Sequence, residues 1–187
     1  MPPKIKITKE DIINAAVEIV RIGGAQSVNA RTIAVMLNCS TQPIFSNFAA
    51  MDDLKLAIVE KAEKLCQEYI DREISEAAYP PYKASGMAYI QFAKEEKELF
   101  KLLYMRDRAG EDESFGPKFS DQMETLVEKN TGLSGNEKQL FHLEMWAYVH
   151  GIATMYATGF LDLNWELVSK MLTDAYQGMR KQYGMES

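Results

Sequence analysis

The segment from Val28 to Phe48 constrains the fold most, because two short helical patterns flank a tight turn there. Ile33 and Leu37 form the apolar edge of the first helix, and Ile44 forms that of the second. Asn38 stands at the turn, where asparagine is the non-glycine residue that best tolerates a left-handed backbone. Two helices that cross at a steep angle need such inner positions. The pattern therefore predicts a helix-turn-helix.

The inner and outer sides of this motif differ in chemistry. Ala34 is small where the helices approach, and Cys39 is expected to be buried beside the turn. Pro43 lies in the first turn of the second helix, where its missing N–H costs nothing. Polar side chains suited to base edges and phosphates occupy the outer side, namely Ser40, Thr41, Gln42, Ser46 and Asn47. This polar side argues against the alternative interpretation, a helical hairpin within a core.

Helical periodicity and helix-ending residues continue along the whole chain, and no strand alternation interrupts them. Helices are predicted at about 9–22, 29–37, 41–47, 51–75, 119–129, 137–158 and 164–183, with one or two more over 82–106. An acidic loop is expected from Gly110 to Pro117. Because Pro80 and Pro81 interrupt helices, we expect a domain change near them. The fold is predicted to be all-α.

Charge is distributed unevenly along the chain. The net charge is -6, yet residues 1–50 carry five basic and three acidic residues. A mildly basic first quarter joined to an acidic remainder is typical of a local nucleic-acid contact surface. No apolar stretch is long enough to cross a membrane and no signal core opens the chain, so we expect no membrane partner. Two cysteines without metal-ligand spacing favour a reducing cytoplasm.

The segments SVNARTIA (27–34) and NCSTQPIFSNF (38–48) resemble the TetR/AcrR family of regulators, and the resemblance extends over about residues 8–56. It implies a three-helix DNA-binding domain (1–50), a connecting helix (51–76) and a larger helical domain (82–187) that dimerises and binds a ligand. It also implies repression, usually relieved by an inducer. The resemblance places Thr41, Gln42 and Pro43 on bases, and Arg31, Thr32, Phe45 and Asn47 at or near phosphates.

Two positions depart from the family pattern. Phe45 replaces a common tyrosine, and Met51 replaces a common lysine, so both substitutions remove a group that contacts the DNA backbone. Lys55 is the expected compensating DNA contact, with Lys4 and Lys6 as alternatives. This hypothesis depends only on their charge and position.

The C-terminal two thirds are rich in methionine and aromatic residues, which suits an adaptable apolar pocket for a small apolar or amphipathic ligand. The candidate lining residues are Tyr89, Phe92, Phe100, Tyr104, Met123, Trp146, His150 and Met155. For any one of these residues, ordinary helical core is the alternative. The segment from Trp146 to Gly151 resembles a tryptophan-histidine-glycine signature in one branch of the same family. His150 either meets a ligand or completes an internal hydrogen-bond network.

The last predicted helix has an apolar face wider than one neighbour needs, formed by Leu167, Val168, Met171, Leu172, Ala175, Tyr176 and Met179. In the TetR/AcrR family, which this sequence resembles, the final two helices of each subunit form a four-helix dimer interface. Ala147, Gly151 and Ala157 are small residues that fit such an interface. A homodimer also matches the two-fold symmetry of a palindromic operator.

Several other classes of function are disfavoured. No nucleophile elbow, P-loop or paired apolar carboxylates occur, so we expect no enzyme and no cofactor. A metal site of His142, Glu144 and His150 is disfavoured because helical metal pairs usually lie three or four residues apart. The remaining alternative is a helical ligand-binding or interaction module that has lost or altered DNA binding.

Overall fold

The computed structural model describes residues 7–105 and 120–185, and within these ranges all regular structure is helical. The predicted all-α class is thereby confirmed. The helices are α1 (Lys9–Gly23), α2 (Ala30–Met36), α3 (Gln42–Asn47), α4 (Met51–Glu76), α5 (Pro81–Glu95), α6 (Lys97–Tyr104), α7 (Asp121–Thr131), α8 (Gly135–Thr158) and α9 (Trp165–Gln182). The predicted loop Gly110–Pro117 and the candidate DNA contacts Lys4 and Lys6 lie outside the described residues.

Helix boundaries differ from prediction where a cap or a proline decides them. Asn29 and Thr41 are N-caps rather than helical residues, and Pro81 begins α5. A proline is compatible with the first helical position because no intrahelical partner awaits its N–H. The region 82–106 forms two helices, because Glu96 leaves helical geometry between α5 and α6. A 3₁₀ turn at Ala25–Ser27 was not predicted.

The chain forms two compact units, called here the N-terminal unit (Met1–Cys66 with Glu96–Arg106) and the C-terminal unit (Gln67–Glu95 with Asp107–Ser187). This division places α6 with the N-terminal unit, because α6 packs against α1. The predicted domains, by contrast, group α6 with the later helices. Their functional division at 50, 76 and 82 stays a prediction.

The N-terminal unit has a continuous apolar core. Its fully buried members come from all of its helices, namely Ile12, Ala16 and Val20 of α1, Ile33 of α2, Ile44 of α3, Leu54 and Ile58 of α4, and Leu99 and Phe100 of α6. At its edge the Arg21 guanidinium donates two hydrogen bonds to the Glu96 carboxylate, at 2.8 and 2.6 Å. This two-point contact joins α1 to the start of α6 and adds directionality that burial alone lacks.

In the C-terminal unit α5 packs against α7, α8 and α9. Gly86 of α5 permits this approach, since a Cβ there would lie 3.4 Å from Val149 of α8 and 3.5 Å from Leu172 of α9. A second cluster buries Tyr82, Val127, Phe141 and Met145. Among the described helices, none combines the length and apolar character needed to cross a membrane.

Candidate nucleic-acid interface and ligand-binding region

Local hydrogen bonds begin the first helix of the predicted motif. The Asn29 Oδ1 accepts from the backbone N–H groups of Arg31 and Thr32, at 3.0 and 3.1 Å. In return, the Thr32 hydroxyl oxygen accepts from the Asn29 backbone N–H at 3.1 Å, which completes a capping box. The cap leaves the Arg31 side chain exposed and uses the Thr32 side chain internally.

The turn follows the predicted geometry. Asn38 has a φ of 50°, in the left-handed region, and the Cys39 N–H closes the turn on the Ala34 carbonyl at 2.9 Å. Ile33 and Ile44 are fully buried, as expected for inward-facing positions. Cys39 is a correction, because it is only half-buried rather than buried. The contact of Cys39 with the preceding helix is the backbone hydrogen bond to Ala34.

The second helix, α3, directs some of its predicted DNA-contacting groups back onto itself. The Ser46 hydroxyl donates to the Gln42 carbonyl at 2.9 Å, and the Asn47 side-chain amide donates to the Pro43 carbonyl at 2.7 Å. Thr41 is the N-cap of the helix but its hydroxyl makes no capping bond. Gln42 is exposed, while Thr41 and Pro43 are half-buried. Thr41 and Gln42 thus retain polar groups for a partner.

The predicted phosphate contacts have different surroundings. Arg31, Ser40 and Phe45 are exposed. The Lys55 ammonium lies 2.8 Å from the Asp52 carboxylate, in a pair that is largely open to solvent. Two neighbouring side chains were not predicted, because nothing in the sequence distinguishes them from other apolar or basic residues. They are Val35, which is 80% exposed, and Lys9, whose ammonium lies 5.0 Å from the centre of the Phe48 ring.

Three of the predicted ligand-binding residues come together in the C-terminal unit. The Tyr89 hydroxyl lies 3.0 Å from Nδ1 of His150, and the His150 ring stacks on Trp146 with centroids 4.7 Å apart. Burial lowers the pKa of His150 below its usual value, so the imidazole is neutral at pH 7. This cluster is partly open, since Trp146 and His150 are half-buried.

The other predicted ligand-binding residues are dispersed. In the C-terminal unit Phe92 packs edge-on against Tyr69, Met123 contacts the Ser85 hydroxyl, and Met155 is half-buried. Phe100 and Tyr104 belong to the N-terminal unit, where their ring centroids lie 5.0 Å apart. Their assignment to a common pocket stays a prediction.

A buried polar pair was missed by sequence reasoning. The Tyr82 hydroxyl lies 2.9 Å from Nδ1 of His142, and both residues are buried. Burial raises the pKa of Tyr82 and lowers that of His142 to about 4, so both groups are uncharged at neutral pH. Only an unusual histidine within an apolar helix signals this pair in the sequence. Its partner Tyr82 lies 60 positions away in the sequence, and only the folded structure shows that the two residues meet.

The predicted dimer face lies partly on the surface of the C-terminal unit. Of the predicted residues, Ala147 and Gly151 of α8 and Leu167 of α9 are exposed. Leu140 and Leu143 of α8, which were not predicted, are exposed as well. Ala157 is a correction, because it is 1% exposed and belongs to the inward side of α8. The small residues of α8 therefore serve two different sides of the helix.

The three residues of the disfavoured metal site each have a different hydrogen-bond partner in the structure. His142 pairs with Tyr82, His150 with Tyr89, and Glu144 accepts a hydrogen bond from the Tyr183 hydroxyl at 2.9 Å. Within residues 7–105 and 120–185, no group of three metal-ligating side chains is close enough to hold an ion.

Comparisons with known proteins find similar architecture in one family of regulators. No curated protein matches the chain in sequence. Among solved structures, a TetR-like transcriptional regulator from Rhodococcus sp. RHA1 superposes with a TM-score of 0.67, covering 98% of this chain and 99% of that one at 14% identity. Residues 82–175 match the family described as "Tetracyclin repressor-like, C-terminal domain". The chain belongs to the TetR family of transcriptional regulators.

Proposed function

We propose that this regulator is a repressor that binds a palindromic operator as a homodimer and is released by a small apolar or amphipathic ligand. The observation that carries the proposal is the helix-turn-helix, in which α2 and α3 hold Thr41 and Gln42 with groups available to a partner. A short recognition helix covers few base pairs, so two copies are needed for a specific site. Such a regulator acts in the cytoplasm and carries out no chemical reaction.

Two glycines support the homodimer. Gly151 of α8 and Gly178 of α9 lie within helices, where glycine costs about 0.5–1 kcal/mol relative to alanine. A Cβ at either position would meet no described atom within 4 Å, so packing inside one chain does not explain them. Close approach of the helices of a second copy would explain why glycine stands at these two positions. The exposed Leu143 and Leu167 supply the apolar surface for the same contact.

The ligand is proposed to bind in the C-terminal unit around Tyr89, Trp146 and His150, with Phe92, Met123 and Met155 as further candidates. The stacked Trp146–His150 pair offers a flat apolar surface, and the Tyr89–His150 pair offers a polar group beside it. That combination suits an amphipathic molecule. The ligand acts as an inducer only if its affinity differs between the DNA-bound and released states.

Fluorescence anisotropy with the DNA upstream of the protein's own gene tests the function. Selective, salt-sensitive binding is expected, and Gln42→Ala should weaken it by about 5- to 150-fold for each half-site, because a glutamine–adenine pair contributes roughly 1–3 kcal/mol. Gln26→Ala is the matched control, an exposed glutamine outside the motif. Absence of selective binding at low salt favours the helical ligand-binding or interaction module instead.

Light scattering tests the dimer. The native chain is expected to be dimeric at micromolar concentration, and Gly151→Leu should yield monomer because its side chain fills the space needed by the partner. Ala49→Leu, at an exposed position of the N-terminal unit, is the control that shows whether an added leucine alone disturbs the assembly. A monomeric native chain contradicts the proposal.

A further inference from the structure

The helix-turn-helix is almost without charge. Within Val28–Phe48 the only charged residue is Arg31. Phosphate neutralisation by Lys and Arg supplies most sequence-independent DNA affinity and makes it fall with salt. Arg31 is the only cation within the motif itself, and Lys9, whose ammonium lies 5.0 Å from the centre of the Phe48 ring, adds a second one beside it. Because two cations per copy supply limited phosphate neutralisation, contacts of another kind must contribute to the affinity for DNA.

Three other basic residues of the N-terminal unit each have an acidic partner. The Lys55 ammonium pairs with Asp52 at 2.8 Å, and the Lys61 ammonium pairs with Glu10 at 2.9 Å. Arg21 is bound by two carboxylates, those of Glu18 and Glu96. The acidic partner reduces the net positive charge that each of these residues offers to a phosphate. Arg31 has no such carboxylate among the described contacts of the N-terminal unit.

Some polar side chains of α3 already make hydrogen bonds within the helix. The hydrogen-bond donors of Ser46 and Asn47 are directed to backbone carbonyls of their own helix. Gln42 is an exposed polar side chain of α3, and among the described residues its amide makes no hydrogen bond. The helix therefore offers few hydrogen bonds to distinguish one base pair from another.

Both helices of the motif also expose apolar side chains. Val35 is 80% exposed and Phe45 is 57% exposed, and Pro43 is half-buried beside Gln42. Val35 follows Arg31 by four residues on α2, so the two side chains share one helix face. An apolar group beside the expected phosphate contact is therefore available to the same partner as Arg31.

We propose that the α2–α3 surface recognises thymine methyl groups in the major groove, so that the operator half-site is rich in A·T pairs at the positions facing Val35, Pro43 and Phe45. The inference rests on the proposed DNA-binding function. The thymine C5-methyl is the apolar group that a base-pair edge presents in the major groove. Because burial of apolar surface does not depend on phosphate charge, this recognition keeps its selectivity as salt rises.

The experiment uses the full-length protein and replaces thymine by deoxyuridine, which removes only the methyl group. An operator is first selected from random duplex DNA at low salt. Binding is then measured by anisotropy for the thymine and deoxyuridine forms of each half-site position. Each contacted methyl group should contribute about fourfold in affinity, from roughly 0.8 kcal/mol per buried methyl-sized group. The slope of log affinity against log salt should be no steeper than about -4 for the dimer, that is, about four phosphate contacts.

Variants identify the side chains responsible. Phe45→Ala and Val35→Ala should each remove the preference for thymine at one position while leaving the fold intact, since both side chains are largely exposed. Phe45→Tyr retains the ring and should keep the preference. Ile22→Ala is the matched control, because Ile22 is 79% exposed but lies at the end of α1, outside the motif. Circular dichroism checks that each variant is folded.

The outcomes separate this inference from the function on which it rests. Selective binding with a loss on deoxyuridine substitution that Phe45→Ala or Val35→Ala abolishes supports the inference. Selective binding without any such loss overturns it while the regulator function stands. A failure to bind any selected duplex overturns both, and capture of a protein by the exposed apolar surface in that case assigns the surface to a protein partner.

Discussion

The two units of the molecule hold their functional residues in different ways. In the helix-turn-helix of the N-terminal unit, the polar side chains bond to groups within a few positions of themselves, as Asn29 does with Thr32. In the C-terminal unit the two tyrosine–histidine contacts join distant positions, Tyr82 with His142 and Tyr89 with His150. Local contacts leave a pattern at fixed spacing in the sequence. Distant contacts depend on how helices pack, so the sequence shows only which residue types are present and not which of them meet.

Phe141→Ala tests whether the C-terminal unit depends on its aromatic cluster. Phe141 is fully buried, with the rings of Tyr183 and Tyr176 at 5.4 and 5.9 Å. Truncation should lower the free energy of unfolding by about 3–5 kcal/mol, because it removes buried area and leaves a cavity. Urea denaturation measures the change.

The control for that substitution is Phe160→Ala, since Phe160 is 76% exposed at the end of α8. It should change the free energy of unfolding of the monomer by less than about 0.5 kcal/mol. Equal effects of the two substitutions contradict the assignment of Phe141 to the core.

The Tyr82–His142 pair predicts a pH dependence that belongs to the C-terminal unit. The pKa of His142 is about 4 in the folded chain, below the value of about 6.5 expected when unfolded. The unfolded chain therefore binds more protons between these values, and stability is present above pH 6.5 and lost as pH falls toward 4. Between pH 7.5 and pH 5 the loss should be about 2 kcal/mol.

Urea denaturation at the two pH values measures this loss, and His142→Gln should remove it. The variant also isolates the histidine from carboxylates such as Asp11 and Glu95, whose lowered pKa values affect stability at lower pH. An NMR titration of His142 with a midpoint near 6.5 contradicts the prediction.

The helix-turn-helix could be predicted because each part requires a residue type at a fixed position. Asn38 marks a left-handed turn, and Ile33 and Ile44 mark the inward faces of the two helices that flank it. The buried state of Cys39 was predicted wrongly, because spacing indicates a side of the helix but not how far the thiol is covered. The hydrogen bonds of Ser46 and Asn47 to their own helix were missed for a similar reason. A polar side chain looks equally available in the sequence whether or not it bonds nearby carbonyls.

The C-terminal unit was less predictable. The methionine and aromatic composition predicts apolar packing, and Tyr89, Trp146 and His150 do lie together. Nothing in their spacing distinguishes them from Tyr82 and His142, which form the more deeply buried pair. Helix packing decides which of several similar side chains meet. The packing depends on contacts along all the helices together, so the spacing of a few residues does not predict it.

Two asparagine caps provide a direct comparison of the units. Asn29 caps α2 in the motif, and Asn164 caps α9 through the Glu166 N–H at 2.8 Å. Asn29→Ala and Asn164→Ala should each lower the free energy of unfolding by about 1 kcal/mol. Urea denaturation measures the loss. Only Asn29→Ala should also weaken DNA binding beyond the loss of folded protein, because it loosens the helix that carries Arg31. Equal effects on DNA binding contradict the local role of the N-terminal cap.

The smallest expected difference concerns two residues with positive φ. Asn38 has a φ of 50° in the motif, and Ala77 has a φ of 53° at the end of α4. Alanine is strained in this region, and the strain of about 1–2 kcal/mol is only partly offset by the lower entropy of the unfolded chain. Ala77→Gly should therefore raise the free energy of unfolding by about 0.5–1 kcal/mol. Asn38→Gly should change it by less than about 0.5 kcal/mol, because asparagine tolerates the left-handed region. Thermal unfolding of both variants measures the difference, and an equal gain at the two positions means that the turn of the motif is as strained as the break after α4.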